Sequence, residues 1–502
     1  MTVQTHAGRG KHLSEMVRAL EAPGPLGSDP LITGVSSDSR QVTPGDVFVA
    51  IRGFEADGHA FIDSAVANGA VAVVLEDEAF RPRGAGSVAS IRVPSSRRAV
   101  AILADEFYDH PSADLTLIGV TGTNGKTTTT LLIESILNSA GFSSGVIGTL
   151  GRGIGGRWQA ADRTTPDAIE LQGLLAEMRG AGITHVAMEV SSHALDLDRV
   201  YKCRFGAAVF TNLTQDHLDY HSGLDEYTRA KLELFTTYAD FSDASRPMVG
   251  AVNVDDPVGE QVAKEARCRV ITYGANGASQ VRARSVSISA DGVSFTLLAN
   301  GESARVDLHL TGHFNVHNAL GAAASCWGLG IDLETIVAGL GSLEAVPGRF
   351  ERVTDGQDYA VIVDYAHTPN ALENVLSAGR ALSPTRLICV MGGGGDRDRG
   401  KRPKMGKAAS DKADFTIVTS DNPRTEDPLA IIEDIAGGMT QGTYAVEPDR
   451  RQAIFRAVEM CEPGDMVIVA GKGHETYQEF DGRRIDFDDR IVARQAIAAK
   501  DQ

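Results

Sequence analysis

The chain has 502 residues, too many for one hydrophobic core, and three domains are expected. Apolar residues make up 42% and charged residues 23%, the balance of a soluble globular protein, and 48 Lys and Arg against 66 Asp and Glu give a net charge of −18. That charge argues against nucleic acid as the main partner and against an anionic membrane surface, so an anionic substrate must be met by local groups of Arg and Lys.

Taken in order, residues 1–112 read as one α/β unit. Helical spacing runs over 13–20, strands over 32–36 and 46–51, a helix over 61–68, a buried strand over 71–75 and a helix over 100–108. His110-Pro111-Ser112 then breaks the pattern. Residues 113–344 repeat a different grammar. Short apolar runs at 115–120, 186–190, 207–210, 248–254 and 269–273 end in small or polar residues, with helical segments between several of them. This predicts a parallel sheet with helices on its faces. Alternation over 280–311, with Asp291-Gly292 as a turn, predicts an antiparallel patch. Residues 345–502 restart the parallel grammar, with runs at 360–363, 387–390, 415–418 and 466–469, as a second, smaller nucleotide-fold domain.

Cys203, Cys268, Cys326, Cys389 and Cys461 are scattered and form no CxxC. They predict a reducing cytoplasm rather than a disulfide framework or a zinc site. No apolar run approaches the ~18 residues of a membrane span, and the first residues lack the apolar core of a signal peptide.

In parallel sheets ligands gather at the carboxyl ends of strands. The first such tail is Gly122-Thr-Asn-Gly125-Lys126-Thr127-Thr128, between an apolar run and an apolar-periodic helix. Glycines let the backbone approach an anion, and free N–H groups at a helix start point at it. Lys126 would neutralise β- and γ-phosphates, and the Thr127 hydroxyl would reach Mg²⁺. The strict P-loop has a glycine where Val120 stands, so this is a shorter variant. Glu189, after a strand, could face the same Mg²⁺, or could simply begin a helix. His217 and His221, four apart, would share a face if the segment were helical. A single Mg²⁺-linked His is favoured over a zinc pair, and a polar loop capped by Asp216 is the alternative. Arg349 could touch phosphate and Asp364 ribose hydroxyls. Asp421-Asn-Pro-Arg424 is a turn by composition, with Arg424 a candidate clamp for a carboxylate. Arg397 and Arg399 follow four glycines and are either an anion site or a solvated charge run.

Nine segments in this order and spacing resemble the Mur ligases: GTNGKTT, EVSSHALDLDR, TNLTQDHLDYH, GHFNVHNALGAAAS, PGRFE, DYAHTP, GGGGDRDRGKRP, DNPR and GKGHE. The resemblance spans nearly the whole chain. It is strongest to members that add meso-diaminopimelate to UDP-N-acetylmuramoyl-L-alanyl-D-glutamate. It implies three domains: a UDP-binding α/β domain at 1–112, a central P-loop ATPase-like parallel-sheet domain at 113–344 and a Rossmann-like domain for the amino acid at 345–502. It implies an ATP-dependent amide ligase working through an acyl phosphate, with Mg²⁺ and no nucleic-acid partner, and a monomer is expected.

Residue by residue, the resemblance assigns Gly122, Thr123, Asn124, Gly125, Lys126, Thr127, Thr128, Asn318, Arg349 and Asp364 to ATP. It assigns Thr127, Glu189, His217 and Lys231 to the metal, Lys231 as a carbamate. Lys126, Glu189, His217 and Lys231 would form the catalytic set. Ser37, Ser39, Phe54, Glu55 and Ala56 would hold the uridine end. Thr164, Thr165, Ser191, Leu197 and Arg199 would hold the muramoyl peptide. Arg397, Asp421, Asn422, Pro423, Arg424, Gly471 and Glu475 would hold diaminopimelate. Arg424 and Arg397 would take carboxylate and Glu475 an ammonium, and lysine, lacking a second carboxylate, would leave the Arg clamp unpaired. Leu197, Arg163 and Phe54 depart from residues common in relatives. A lysine-adding ligase is the near alternative. Folylpolyglutamate synthase shares the phosphate loop but is not expected to carry DNPR. A non-catalytic nucleotide-binding scaffold and a P-loop motor or GTPase fit the residues less well.

Overall fold

A computed structural model describes residues 10–20, 28–54, 56–76, 88–161, 163–217, 220–242, 245–277 and 279–500. It contains three main sheets, each packed by helices. The first has four parallel strands in chain order, Gly34–Ser36, Asp46–Val49, Ala72–Leu75 and Ala89–Arg92. The last was not expected from sequence. Its inward residues Ala89 and Ile91 alternate with half-buried Ser90 and Arg92, so no apolar run marks it. The helix Ser96–Phe107 starts four residues before the expected position, because the Ser95 hydroxyl accepts the Arg98 amide at 3.3 Å and caps it.

The central sheet has eleven strands. In spatial order they are Arg157–Gln159, Gly151–Ile154, Ser144–Gly148, His185–Glu189, Thr116–Thr121, Phe205–Phe210, Val249–Asn253, Arg269–Gly274, Val281–Ser289, Gly292–Ala299 and Glu302–Leu308. The middle of the sheet is parallel and buried on both faces. Leu117, Val186 and Met188 enter one core, and Ile118, Val120, Ala187 and Val209 enter the other, which is why these strands read as unbroken apolar runs. The alternating segment is antiparallel as expected. It is not a separate patch, since Tyr273 pairs in parallel with Val281 and the three strands extend the main sheet. Strand Ser144–Gly148 and the hairpin after it escaped the sequence reading, because Val146-Ile147 is too short a run between glycines.

The third sheet runs Glu351–Val353, Ala360–Asp364, Met466–Ala470, Leu387–Met391, Phe415–Val418 and Tyr444–Val446. Only the first pairing is antiparallel. The strand Met466–Ala470, last of the six in the chain, lies between the second and third. The loops after Asp364, Met391, Val418 and Ala470 therefore leave from one edge of the sheet, at its carboxyl ends, where a ligand crevice forms.

Those loops are tied by a fully buried ion pair. Arg450 Nε and Nη2 donate to the two carboxylate oxygens of Asp489 at 2.8 and 2.7 Å, and Nη2 also reaches the Ala470 carbonyl at 3.0 Å. Removing one partner strands the other charge in the core. Arg450→Met is expected to destabilise this sheet by about 3–5 kcal/mol, read as a lowered urea midpoint. A joint apolar replacement of Arg450 and Asp489 is expected to cost less.

Candidate active site

The phosphate loop follows strand Thr116–Thr121 and leads into helix Lys126–Ser139. Its two glycines are required. Gly122 has φ +147 and a Cβ there would lie 1.9 Å from Thr211 Oγ1. Gly125 has φ +87 and its Cβ would lie 2.3 Å from Asn318 Oδ1. The loop is braced by strand-end residues of its neighbour: Asn212 Oδ1 accepts the Asn124 amide at 2.9 Å, and Thr211 Oγ1 donates to the Asn124 carbonyl at 2.7 Å.

Two lysines converge on one oxygen of this loop. Lys126 Nζ donates to the carbonyls of Gly122 and Thr123, both at 2.9 Å, and Lys231 Nζ donates to the same Gly122 carbonyl at 2.8 Å. Lys231 comes from helix Leu224–Leu232, is 1% exposed and lies 4.4 Å from the Tyr227 ring centroid. Burial, and then the charge of Lys126, push its ammonium well below the ordinary lysine range. Lys126 is also lowered by burial, against the opposing pull of Glu189 and Asp216. Glu189 ends its strand 1% exposed, and Thr149 donates both its amide, at 2.8 Å, and its hydroxyl, at 3.1 Å, to the carboxylate. Burial drives His217 down to about 3, so its imidazole is neutral.

His217 does not have the backbone conformation of a helix that would give two histidines one face. Its φ is +55, and its carbonyl accepts the His221 amide at 2.9 Å. His221 is buried with Nε2 3.0 Å from Ser192 Oγ, while His217 Nε2 lies 3.4 Å from Asp216. The two rings thus have different polar partners, and the His193 ring lies edge-on to the first at 4.8 Å and tilted to the second at 5.8 Å.

The third sheet meets this loop across a cavity of about 600 Å³ lined by the residues 123–128, Glu189, His217, Asn318, Arg349 and Asp364. Arg349 Nη2 donates to Thr127 Oγ1 at 3.1 Å, with its guanidinium 4.5 Å from the Tyr365 ring centroid. Asp364 accepts the amides of Phe350 and Ala366, both at 2.7 Å, and burial raises its carboxyl despite the nearby Arg349. Asn318 is buried, with Nδ2 donating to Asn315 at 2.9 Å. Of the peptide-site candidates, Thr164 lines the cavity. Thr165 Oγ1 donates to the Glu189 carbonyl at 2.8 Å and accepts the Ser191 amide at 3.1 Å, and Arg199 Nη1 reaches the Thr165 carbonyl at 3.3 Å. Leu197 closes the helix Ser192–Asp196, and Arg163 pairs with Asp167.

The uridine candidates lie apart from this cavity. Ser37, Ser39 and Ala56 lie on the first sheet's loops, and exposed Phe54 reaches the central unit edge-on at Tyr220, with ring centroids 5.7 Å apart. Glu55 lies outside the described residues. The diaminopimelate candidates form a second cluster beside Tyr365. Asn422 Nδ2 donates to Glu475 Oε2 at 2.8 Å, and Arg424, with φ +51, donates to the Gly395 carbonyl at 2.7 Å. Asp421 and Gly471 adjoin it, Pro423 packs against Gly395, and Arg397 is solvent-exposed. Sequence reasoning passed over Thr149, which holds Glu189, and Lys472, which is fully buried in the second cluster. Thr149 ends the run Val146-Ile147-Gly148 as other tails end theirs, and Lys472 stands in the quoted GKGHE.

Lys231→Met in CO₂-free buffer is expected to raise the melting temperature, because the buried ammonium costs stability. The lysine's folded pKa lies below its unfolded one. Its penalty is therefore complete below the folded pKa and fades as pH rises toward about 10.4, so the gap between variant and wild type must narrow with rising pH. Thermal unfolding across pH checks this.

Family models match three stretches: "Mur ligase family, catalytic domain" over residues 31–108, "Mur ligase middle domain" over 120–326 and "Mur ligase, glutamate ligase domain" over 348–473. The chain is 47% identical over 473 residues to the UDP-N-acetylmuramoyl-L-alanyl-D-glutamate--2,6-diaminopimelate ligase of Geobacillus thermodenitrificans, covering 94% of this chain and 96% of the relative. To the ligase of the same name from Syntrophomonas wolfei it is 45% identical over 480 residues, 95% and 96% of the two chains. A solved structure of a ligase of that name aligns with a TM-score of 0.67 at 36% identity, over 94% of this chain and 96% of that one. Identity at this level over nearly the full length of both chains has one consequence: this chain belongs to the Mur ligase family.

Proposed function

We propose that this chain is an ATP-dependent amide ligase that joins meso-2,6-diaminopimelate to UDP-N-acetylmuramoyl-L-alanyl-D-glutamate in peptidoglycan precursor synthesis. The observation that carries the reading is one cavity lined together by Lys126 of the phosphate loop, Glu189, His217 and Arg349, which stands just before the third sheet. The names of the relatives supply the substrates. The reading divides the chain at about residues 112 and 344, and takes it as a cytoplasmic monomer. Among the described residues no helix is long and apolar enough to cross a membrane.

ATP and the nucleotide-linked peptide are both anions, so their approach must be offset locally. Lys126 holds the β- and γ-phosphates at the helix start, and Arg349 brings a second cation against Thr127. The γ-phosphoryl group passes to the D-glutamate carboxylate, giving an acyl phosphate and ADP. The acceptor amine attacks that carbonyl, and phosphate leaves from the tetrahedral intermediate. Thr165 links the peptide side of the site to the Glu189 strand end, so substrate placement and the carboxylate share one support. Asp364 and Asn318 border the nucleoside side.

The donor set fits Mg²⁺. Glu189 offers a carboxylate that its two Thr149 bonds orient, neutral His217 offers a lone pair and Thr127 a hydroxyl. Among the described residues no three His, Cys, Asp or Glu gather as a metal site. A carbamate formed from CO₂ and the uncharged amine of Lys231 would complete the set with an anion. When bound, Mg²⁺ supplies charge neutralisation at the phosphoryl oxygens.

Phosphate release with ATP, Mg²⁺ and the nucleotide dipeptide is expected with meso-diaminopimelate and not with L-lysine or without acceptor. The kcat/KM ratio between the two amino acids is expected to be on the order of 10³ or more, since lysine leaves the partly buried Arg424 without a carboxylate. Lys126→Ala is expected to lower kcat on the order of 10²–10³-fold. Release with lysine would keep the ligase and discard the pocket reading, and no release with either would discard the ligase.

A further inference from the structure

One fully buried cation has no part in the reading above. The Lys472 side chain is 0% exposed, and its Nζ lies 2.9 Å from Glu475 Oε2, 3.0 Å from Asn422 Oδ1 and 3.8 Å from Asp421 Oδ1. Two carboxylates and one amide, from loops that leave different strands, thus meet one ammonium. Burying a lysine head is unfavourable unless its charge is compensated, and here it is compensated in full. Glu475 Oε2 is doubly occupied, since Asn422 Nδ2 also donates to it at 2.8 Å. Among the described residues Oε1 meets the Tyr365 hydroxyl at 3.5 Å, too long to satisfy it, and no other hydrogen-bond donor. The lysine therefore fixes one oxygen and leaves the other to be filled.

We propose that Lys472 is a positioning residue for the acceptor amino acid: it holds Glu475 by one oxygen so that the other receives the substrate ammonium. This rests on the ligase reading. Burial would raise Asp421, and Lys472, followed by Arg450, His367 and Arg424, holds it below the usual carboxylate range instead. Arg450 is already bound to Asp489 and Arg424 to a carbonyl, and Tyr365 and Tyr477 border the cluster. Lys472 is thus the cation that contacts Glu475.

The test is steady-state kinetics of the full-length Lys472→Met variant across about pH 6 to 9, each substrate varied in turn. The expected result is a KM for diaminopimelate raised on the order of 10²-fold, with KM for ATP and for the nucleotide dipeptide unchanged. That KM should climb further as pH falls, because Asp421 loses the cation that holds it below the usual carboxylate range and takes up a proton, while the wild-type KM stays flat. Lys472→Gln, which keeps a donor and loses the charge, should regain part of the KM and keep the pH dependence. A wild-type KM for diaminopimelate in the variant, or equal losses for all three substrates, overturns the proposal. If Lys472→Met does not fold, Asn422→Leu removes the other donor to Oε2 and keeps the charge. It should raise the diaminopimelate KM without pH dependence, and an unchanged KM there overturns the proposal. A wild-type protein that releases no phosphate with diaminopimelate would instead remove the ligase reading itself.

Discussion

Two ammonium groups share the carbonyl oxygen of Gly122, Lys126 at 2.9 Å and Lys231 at 2.8 Å. Like charges at this separation repel, and one backbone dipole cannot neutralise them both. Glu189 and Asp216 offset part of the charge of Lys126, whereas Lys231 has only Asp216 against its burial and its neighbour. Burial and Lys126 together push Lys231 toward the uncharged amine, the form that can react with CO₂. The neighbouring structure serves this point. The strand Thr116–Thr121 delivers the Gly122 carbonyl, the left-handed Gly125 starts the helix that carries Lys126, and the helix Leu224–Leu232 carries Lys231 inward.

The same electrostatic demand explains how the third sheet is joined to the second. A chain with net charge −18 must concentrate its cations where phosphates are handled. Arg349, just before the third sheet begins, crosses to Thr127, and Lys404 of that unit bonds Gln215 Oε1 at 2.9 Å beside Asp216. Each contact joins residues near the carboxyl ends of strands in two different sheets. Those ends are where backbone amides and short polar side chains are free to face a ligand. The acceptor cluster lies one residue beyond this junction, since Tyr365 both lines the cavity and faces Glu475.

Much of this was legible in the residues. Parallel strands buried on both faces announce themselves as apolar runs, and the four interior strands of the third sheet and most of those in the second were read that way. Elements without such a run were missed, among them Ala89–Arg92, whose outer face is half-exposed, and Ser144–Gly148, whose apolar stretch is two residues long. The shared face of His217 and His221 was conditional on a helix, and a single Mg²⁺-linked His was favoured over the pair. Spacing of four implies a shared face only on a helix, and the backbone at 217 is left-handed.

The sequence by itself determined the three α/β units, the phosphate loop with its two indispensable glycines, and the order of the chemical tails, because strand periodicity and glycine geometry are local properties. Tertiary structure alone decided which tails meet. That Lys231 lands on the carbonyl that Lys126 already uses, that Thr149 orients Glu189, that Arg349 reaches Thr127 and that Lys472 joins Asn422 to Glu475 are contacts between residues mostly far apart in the chain. They exist because the strand Met466–Ala470 inserts between two earlier ones and because two sheets present their carboxyl ends to one cavity. Neither arrangement leaves a mark in local sequence, since the energy that selects it comes from burying whole faces against one another.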